Sequence, residues 1–385
     1  MGTAHGVDLC GPLLAADQPR HRHGRIGTEV VRTRFGDFAF QNGYPTPDAA
    51  DALLGQIAFN RAIEVYLTQI PAVAVIEQRR GMREFGARRA NQVIIWETLM
   101  DAQTLLLTAN TETVYSLGFL DLKTDGPTVI EVPPKLLGLA MDTLQRYLVD
   151  IGPLGPDKGQ GGAGTVLPAG GRYREGQGLR PDPAARARLA EATRAAAAIA
   201  RANCFASNDP ATFYYPDRHW QAISDVPYTF VRDGVFQLAR RAFVYYMGLG
   251  NSPAMMAKNV GAGSQYLWTY KDADGNFLDG AENYRLRAPA EVPINNVWSV
   301  VIYDALGRSE LQNGQPLPSV SQYGEPKVNA DGSVAIFFGP EMPQGQERNW
   351  IRTVPGRGWF PIFRFYGPLE PFFDKSWKLD DVEKL

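Results

Sequence analysis

Apolar positions recur at helical spacing over residues 50–69, through Leu53, Leu54, Ile57, Ala58, Ile63, Tyr66 and Leu67. This stretch is expected to form a helix with one apolar face. Thr46-Pro47-Asp48 supplies its start: a threonine N-cap, a proline at the first helical position and an acidic residue at the positive end of the helix dipole. Pro71 is expected to interrupt it, with a second helical stretch over 72–80. After Ala90 the pattern changes. Residues 113–122 and 127–133 are β-branched and aromatic runs around Lys123-Thr-Asp-Gly126, and they read as paired strands. Leu136, Leu139, Ala140, Leu144 and Leu148 return to helical spacing over 135–149. Residues 152–178 are so rich in Gly and Pro that a loop is expected. Asp182-Pro183 then opens an Ala/Arg helix to about residue 202, and helices follow over 235–248 and from Ser252-Pro253.

From Tyr266 onward the period is two. Over 297–304, Trp298, Val300 and Ile302 fall on one face, and Val297, Ser299, Val301 and Tyr303 on the other. Residues 333–338 and 359–366 alternate in the same way, and Asp274-Gly275 and Asp331-Gly332 mark tight turns. Short antiparallel strands of this kind suggest a β-sandwich or jelly roll. The expected fold class is α+β. It comprises a flexible tail (1–30), a mixed N-terminal domain (31–180), a helical connector (181–257) and an antiparallel β domain (258–385) with flanking helices.

Composition narrows the chemistry more than the fold. The chain has 385 residues, 44% hydrophobic and 21% charged, which fits a globular protein of about two domains. Its net charge of −2 gives no reason to expect nucleic acid or an anionic membrane as partner. No apolar run approaches the roughly 18 residues of a membrane span, and 11–16 is too short for a secretion signal, so the chain reads as cytoplasmic. There are only four His and two Cys. His5, His21 and His23 lie in the tail, which leaves His219 for the body. A thiolate zinc site is therefore not available, no cofactor is expected, and catalysis would fall to carboxylate, phenol, amide and guanidinium groups. The Gly159–Gly164 segment GQGGAG lacks the Lys-Ser/Thr of a phosphate-binding loop.

Several segments resemble a known pairing of families. TANTETVYSLGFLDLKTDGPTVIEVPP (108–134) resembles the signature of the bacterial domain of unknown function numbered 1254. NVGAGSQYLWTYKDADGNFLDGAENYRL (259–286), NVWSVVIYD (296–304), NADGSVAIFFGP (329–340) and NWIRTVPGRGWFPIFRFYGPLEPFFDKSW (349–377) resemble its usual C-terminal companion, numbered 1214. The resemblance implies a mixed N-terminal domain followed by an antiparallel β domain. It also marks two departures. Glu112 stands where the family usually has Asp, and its extra methylene puts the carboxylate oxygens about 1–1.5 Å further out. Roughly a hundred family residues are missing after Pro168; if they form a lid or pocket wall, the resemblance implies a more open cleft, a different partner or a different substrate here.

The candidate chemistry lies within these segments. Asn110, Glu112 and Tyr115 offer an amide, a base and an acid near the start of a strand; the alternative is a turn in which Asn110 and Glu112 hold backbone groups. Arg364 lies on an apolar strand with Ile362 and Tyr366 on its face, so it needs a carboxylate or an anionic ligand. Asp304 is the candidate partner. Gln265, Tyr266 and Trp298 complete the expected substrate contacts. Ser264 is in no nucleophile elbow. Lys271-Asp-Ala-Asp-Gly275 reads as a hairpin turn rather than a calcium loop, because Asn283 stands where that loop needs Glu. Trp298, Trp350, Trp359 and Trp377 read mainly as core. The expectation is an enzyme without cofactor, of hydrolase, lyase or cyclase type, acting on a small-to-medium organic substrate in an interdomain cleft. Glu112 is its base, Tyr115 its acid and Arg364 the orienting group. The alternatives are a glycan- or protein-binding module and a divalent-metal phosphodiesterase built on Glu112 and Asp304. A homodimer stays open.

Overall fold

The computed structural model describes residues 28–167, 182–207, 209–223 and 227–385. Cys10 and the three N-terminal histidines lie outside them, as do most of the expected tail and the far end of the 152–178 loop. The chain divides into two compact units, 1–62 and 63–385. The first carries a three-stranded antiparallel sheet, β1 (Thr28–Thr33), β2 (Gly36–Gln41) and β3 (Tyr44–Pro45), and the start of α1 (Pro47–Glu84). Thr46 caps that helix as expected, its Oγ1 accepting from the Ala49 N–H at 3.3 Å.

In the second unit α1 continues through Pro71 without a break, contrary to the sequence expectation. An internal proline removes one helical hydrogen bond, at a cost of about 3 kcal/mol. Side chains from elsewhere in the unit hold the helix on either side of the lost bond: Arg241 Nη1 donates to the Thr68 carbonyl at 2.7 Å, and Gln145 Nε2 to the Pro71 carbonyl at 3.1 Å. Three two-strand ladders come next. β4 (Val93–Ile95) pairs with β5 (Ser116–Gly118), and a one-turn helix α2 (Leu122–Asp125) leads to β6 (Thr128–Val132). The runs flanking the Lys123–Gly126 turn are thus strands, but each pairs with another segment rather than with its neighbour.

Residues 135–149 form a hairpin, β7 (Gly138–Met141) with β8 (Tyr147–Ile151), where a helix was expected. The Asp142 carboxylate decides this. Its Oδ1 accepts from the Leu144 and Arg146 N–H groups, both at 2.9 Å, and closes a turn that the leucine spacing does not reveal. β9 (Gly162–Leu167) then pairs with β6, inside the stretch expected to be loop. Gly161 makes the approach possible: its φ is +75°, and a Cβ there would lie 2.6–2.8 Å from the backbone of Val132, Pro133 and Pro134.

Asp182 caps α3 (Pro183–Phe205) with its carboxylate on the Ala185 N–H. A short hairpin, β10 (Val231–Arg232) and β11 (Val235–Phe236), precedes α4 (Leu238–Met247) and α5 (Pro253–Met256). The remaining strands are β12 (Ser264–Trp268), β13 (Tyr284–Ala288), β14 (Trp298–Asp304), β15 (Ser319–Ser321), β16 (Val334–Gly339), β17 (Trp350–Arg352), β18 (Trp359–Tyr366) and β19 (Glu383–Lys384), with α6 (Glu370–Phe373) before the last. They build two four-stranded sheets, ordered β12-β18-β14-β15 and β17-β16-β13-β19. Only β16 and β17 run parallel. The class is α+β.

The first of these sheets is covered on both faces, and all seven residues of β14 are buried. On one face Trp298, Val300, Ile302, Phe363 and Phe365 share a core with Leu286, Ile336 and Phe338 of the second sheet. On the other, Trp268, Val301, Phe360 and Ile362 pack with Phe243, Val244 and Met247 of α4 and with Cys204 of α3. That second face does not stay apolar along its whole length.

Candidate active site

Antiparallel register puts Tyr266, Arg364 and Ser299 side by side on β12, β18 and β14, at the far end of the helix-covered face. Tyr366 and Ser264 form the next rung, and Ser321 of β15 lies beside Ser299. Arg364 is 5% exposed. Its Nη2 donates to the carbonyls of Thr108 (2.7 Å) and Ala109 (3.0 Å) and to the Tyr303 hydroxyl (2.7 Å). Its guanidinium carbon lies 5.3 Å from the Tyr266 ring centroid. Nε is buried without a partner. Asp304 is not the partner: on the opposite face of β14 it bonds Arg357 at 2.8 Å and the N–H groups of Leu306 and Gly307. Burial opposes the charge on Arg364, but a guanidinium is too basic to lose its proton in a protein, and it stays ionised. Burial in turn pushes the hydroxyls of Tyr266, Tyr303 and Tyr366 up, so all three stay protonated and able to donate.

The segment carrying Asn110, Glu112 and Tyr115 folds against this rung. Thr108 has φ +46°, a left-handed conformation that β-branched residues rarely adopt. The strain accompanies the turn that presents two successive carbonyls to Arg364; Ala109 O also accepts from the Tyr303 hydroxyl at 2.6 Å. The Asn110 side chain organises the rest of the segment. Its Oδ1 accepts the Glu112 N–H at 2.6 Å, and its Nδ2 donates to Thr113 Oγ1 at 3.1 Å and to the Tyr115 hydroxyl at 3.2 Å. Asn110 thus plays the turn-holding role and fixes Tyr115 at once. The half-buried Glu112 carboxyl accepts from Thr111 Oγ1 at 2.9 Å. Burial raises its pKa, against hydrogen bonds from Ser321 and Thr111 and the charge of Arg364. Glu112, Tyr115 and Arg364 therefore come together, with Tyr266 beside them.

Two other expected contacts do not. Gln265 points to the opposite face of β12 and donates to the Ala257 carbonyl at 3.1 Å. Trp298 is core, stacked on Phe363 at 5.5 Å. Trp359 is buried with it, and the indole N–H groups of Trp350 and Trp377 bond the carbonyls of Gly339 and Ala290, so these aromatics serve packing. His219 is held by Asp381 at 3.3 Å. Asp272 closes the expected hairpin turn by accepting from the Asp274 and Asn276 N–H groups.

The sequence reading missed Glu310. It is fully buried, it bridges opposite Tyr303 on the same face as Arg364, and neither carboxylate oxygen has a hydrogen-bond partner. Burial, with a smaller contribution from Asp101 and against the attraction of Arg364, brings its pKa to about 7. The available signal was the turn Asp304–Arg308: folding it back lays Glu310 across from Tyr303. Among the described residues no three His, Cys, Asp or Glu side chains come together to hold a metal ion, and no helix is long and apolar enough to cross a membrane.

Residues 90–220 match the family model described as Protein of unknown function (DUF1254), and 263–370 match Protein of unknown function (DUF1214). Asn110, Glu112 and Tyr115 lie in the first segment, and Tyr266, Glu310 and Arg364 in the second. The site is assembled from both. No curated protein matches the chain. Among solved structures, the VPA0106 protein from Vibrio parahaemolyticus is 13% identical with a TM-score of 0.47, over 85% of this chain and all of its own. An uncharacterized protein from Burkholderia cenocepacia is 12% identical with a TM-score of 0.40, over 87% of this chain and 98% of its own.

Proposed function

We propose that this chain, which pairs the DUF1254 and DUF1214 families in tandem, is an enzyme using acid–base chemistry of hydrolase, lyase or cyclase type on a small-to-medium organic substrate. The observation that carries this reading is the convergence of Glu112, Tyr115 and Arg364 at one partly exposed rung. Glu112 is the base: desolvation raises its proton affinity towards the range useful at neutral pH. Tyr115, oriented by Asn110, is the acid. Arg364 holds an anionic or carbonyl group of the substrate, since its own hydrogen bonds go to carbonyls and a phenol and none to a carboxylate. A positioned acid and base are each worth roughly 10²–10⁴ in rate. The shared core of the two four-stranded sheets favours a sandwich of jelly-roll type as the frame.

The test is turnover by the purified chain of a panel of small esters, amides, hydroxy acids and unsaturated acids. Glu112→Gln and Tyr115→Phe are each expected to abolish it while unfolding within a few degrees of the native chain. Full turnover in both variants overturns the assignment. Saturable binding across the panel with no product formed returns the chain to the binding-module reading.

A further inference from the structure

Five buried side-chain atoms without partners lie around the rung of Arg364, on the helix-covered face of the β12-β18-β14-β15 sheet. Arg364 Nε, Ser299 Oγ, the Tyr366 hydroxyl and both Glu310 oxygens are buried and unbonded. Ser299 is the register partner of Arg364, Tyr366 is two residues along the same strand, and Glu310 faces Tyr303, which itself bonds Arg364. Strand alternation puts all of them on one face. A protein does not leave a guanidinium N–H, two hydroxyls and a carboxyl unbonded in one place without cost, because each buried orphan forfeits its hydration. Three of these groups, Arg364 Nε, Ser299 Oγ and the Tyr366 hydroxyl, are donors on neighbouring rungs of the same face. We propose that this rung binds the carboxylate of a small monocarboxylic acid, and that the anion enters together with a proton held on Glu310.

The choice of a monoanion rests on the charges facing the site. Arg364 is the cation of the rung. Opposite it stand Glu310, on the return of the β14 turn, and Glu112, on the loop packed over it; Asp101 acts on Glu310, Tyr115 faces the guanidinium, and burial keeps Tyr266, Tyr303 and Tyr366 protonated. With Glu310 ionised, the guanidinium already faces an anion and a second carboxylate is repelled. With Glu310 protonated, the guanidinium lacks that counter-charge and its positive charge is available to an incoming anion. A dianion would exceed the single positive charge and would also face Glu112. Nη2 is committed to protein acceptors, so Arg364 offers the incoming carboxylate its unbonded Nε–H and its charge. Glu112 and Tyr115, on the loop packed over the rung, are only half-buried. The inference rests on the proposed function only in sharing Arg364, and it assigns the substrate group that Arg364 receives.

Calorimetric titration of the full chain with sodium acetate tests it, at pH 6 and pH 8 and in two buffers of different ionisation enthalpy. Acetate is expected to bind at pH 6 and about tenfold more weakly at pH 8, where close to one proton is taken up per acetate bound. Glu310→Gln, which mimics the protonated acid in nearly the same volume, is expected to keep the pH 6 affinity and lose both the tenfold fall and the proton uptake. Arg364→Lys is expected to weaken binding at least tenfold; should that variant not fold, Glu310→Gln decides alone. No saturable acetate heat at pH 6, equal affinity at both pH values, a Glu310→Gln titration identical to the native one, or sodium sulfate binding as tightly as acetate would each overturn the proposal. Its failure is separable from that of the proposed function: acetate binding is read without turnover, and the Glu112 and Tyr115 variants are read without acetate.

Discussion

The two faces of the β12-β18-β14-β15 sheet use the same strands and opposite chemistry. One face meets the second sheet through Leu267, Trp298, Val300, Ile302, Phe363 and Phe365, and almost all of its atoms need nothing but contact. The other begins the same way under α4, then changes within one strand step from Ile362 to Arg364. On that rung, burial costs more than contact returns. A carboxylate and a guanidinium are dehydrated, and several polar atoms have no partner. The first face makes the fold stable, and the second uses part of that stability to hold polar groups where water would otherwise satisfy them.

The largest effect should come from breaking the apolar face. Phe363 is fully buried and its ring packs on Trp298, Phe365 and Trp377 at 5.5, 4.7 and 6.3 Å. Phe363→Ala is expected to cost about 3–5 kcal/mol in urea unfolding. A loss below about 1 kcal/mol would mean that this core does not carry the fold.

The next effect has the opposite sign and belongs to the polar face. Glu310 has its pKa raised from 4.5 to about 7, so the folded chain binds a proton more tightly than the unfolded one. Its contribution to stability is therefore fully present below pH 4.5 and is lost as pH rises through about 7. A shift of that size corresponds to about 3 kcal/mol. Glu310→Gln should unfold like the native chain near pH 4.5 and be more stable at pH 8. If both proteins lose stability equally between those values, the unpartnered carboxylate is not what separates the faces.

The apolar face was legible in the sequence because alternation alone places Trp298, Val300 and Ile302 together, and the core they share with the second sheet bears this out. The site was legible in part. Glu112, Tyr115 and Arg364 could be chosen by chemistry and do converge, but Asp304 could not be separated from Glu310 as the carboxylate near Arg364. Both bracket the same turn, and only the turn's geometry shows that Asp304 faces Arg357 while Glu310 faces Tyr303. Gln265 failed for a simpler reason: its neighbour Tyr266 faces the site, and adjacent strand residues cannot both do so. The hairpin at 135–149 was hidden because leucines three to four apart suit a helix, whereas one Asx turn at Asp142 overrides that spacing.

The smallest effect tests whether Tyr115 belongs to the polar face as chemistry or as structure. Its hydroxyl accepts one hydrogen bond, from Asn110 at 3.2 Å, and Asn110 Nδ2 keeps Thr113 Oγ1 at 3.1 Å when that bond is gone. No buried donor is orphaned, so Tyr115→Phe should cost no more than about 0.5–1 kcal/mol. Thermal unfolding within that margin, together with lost turnover, would show a phenol kept for its proton. A cost of about 2 kcal/mol or more, the range of an orphaned buried group, would show that the phenol props the 108–115 loop against Arg364. The acid would then have to be sought elsewhere on the same rung, at Tyr266 or Tyr366.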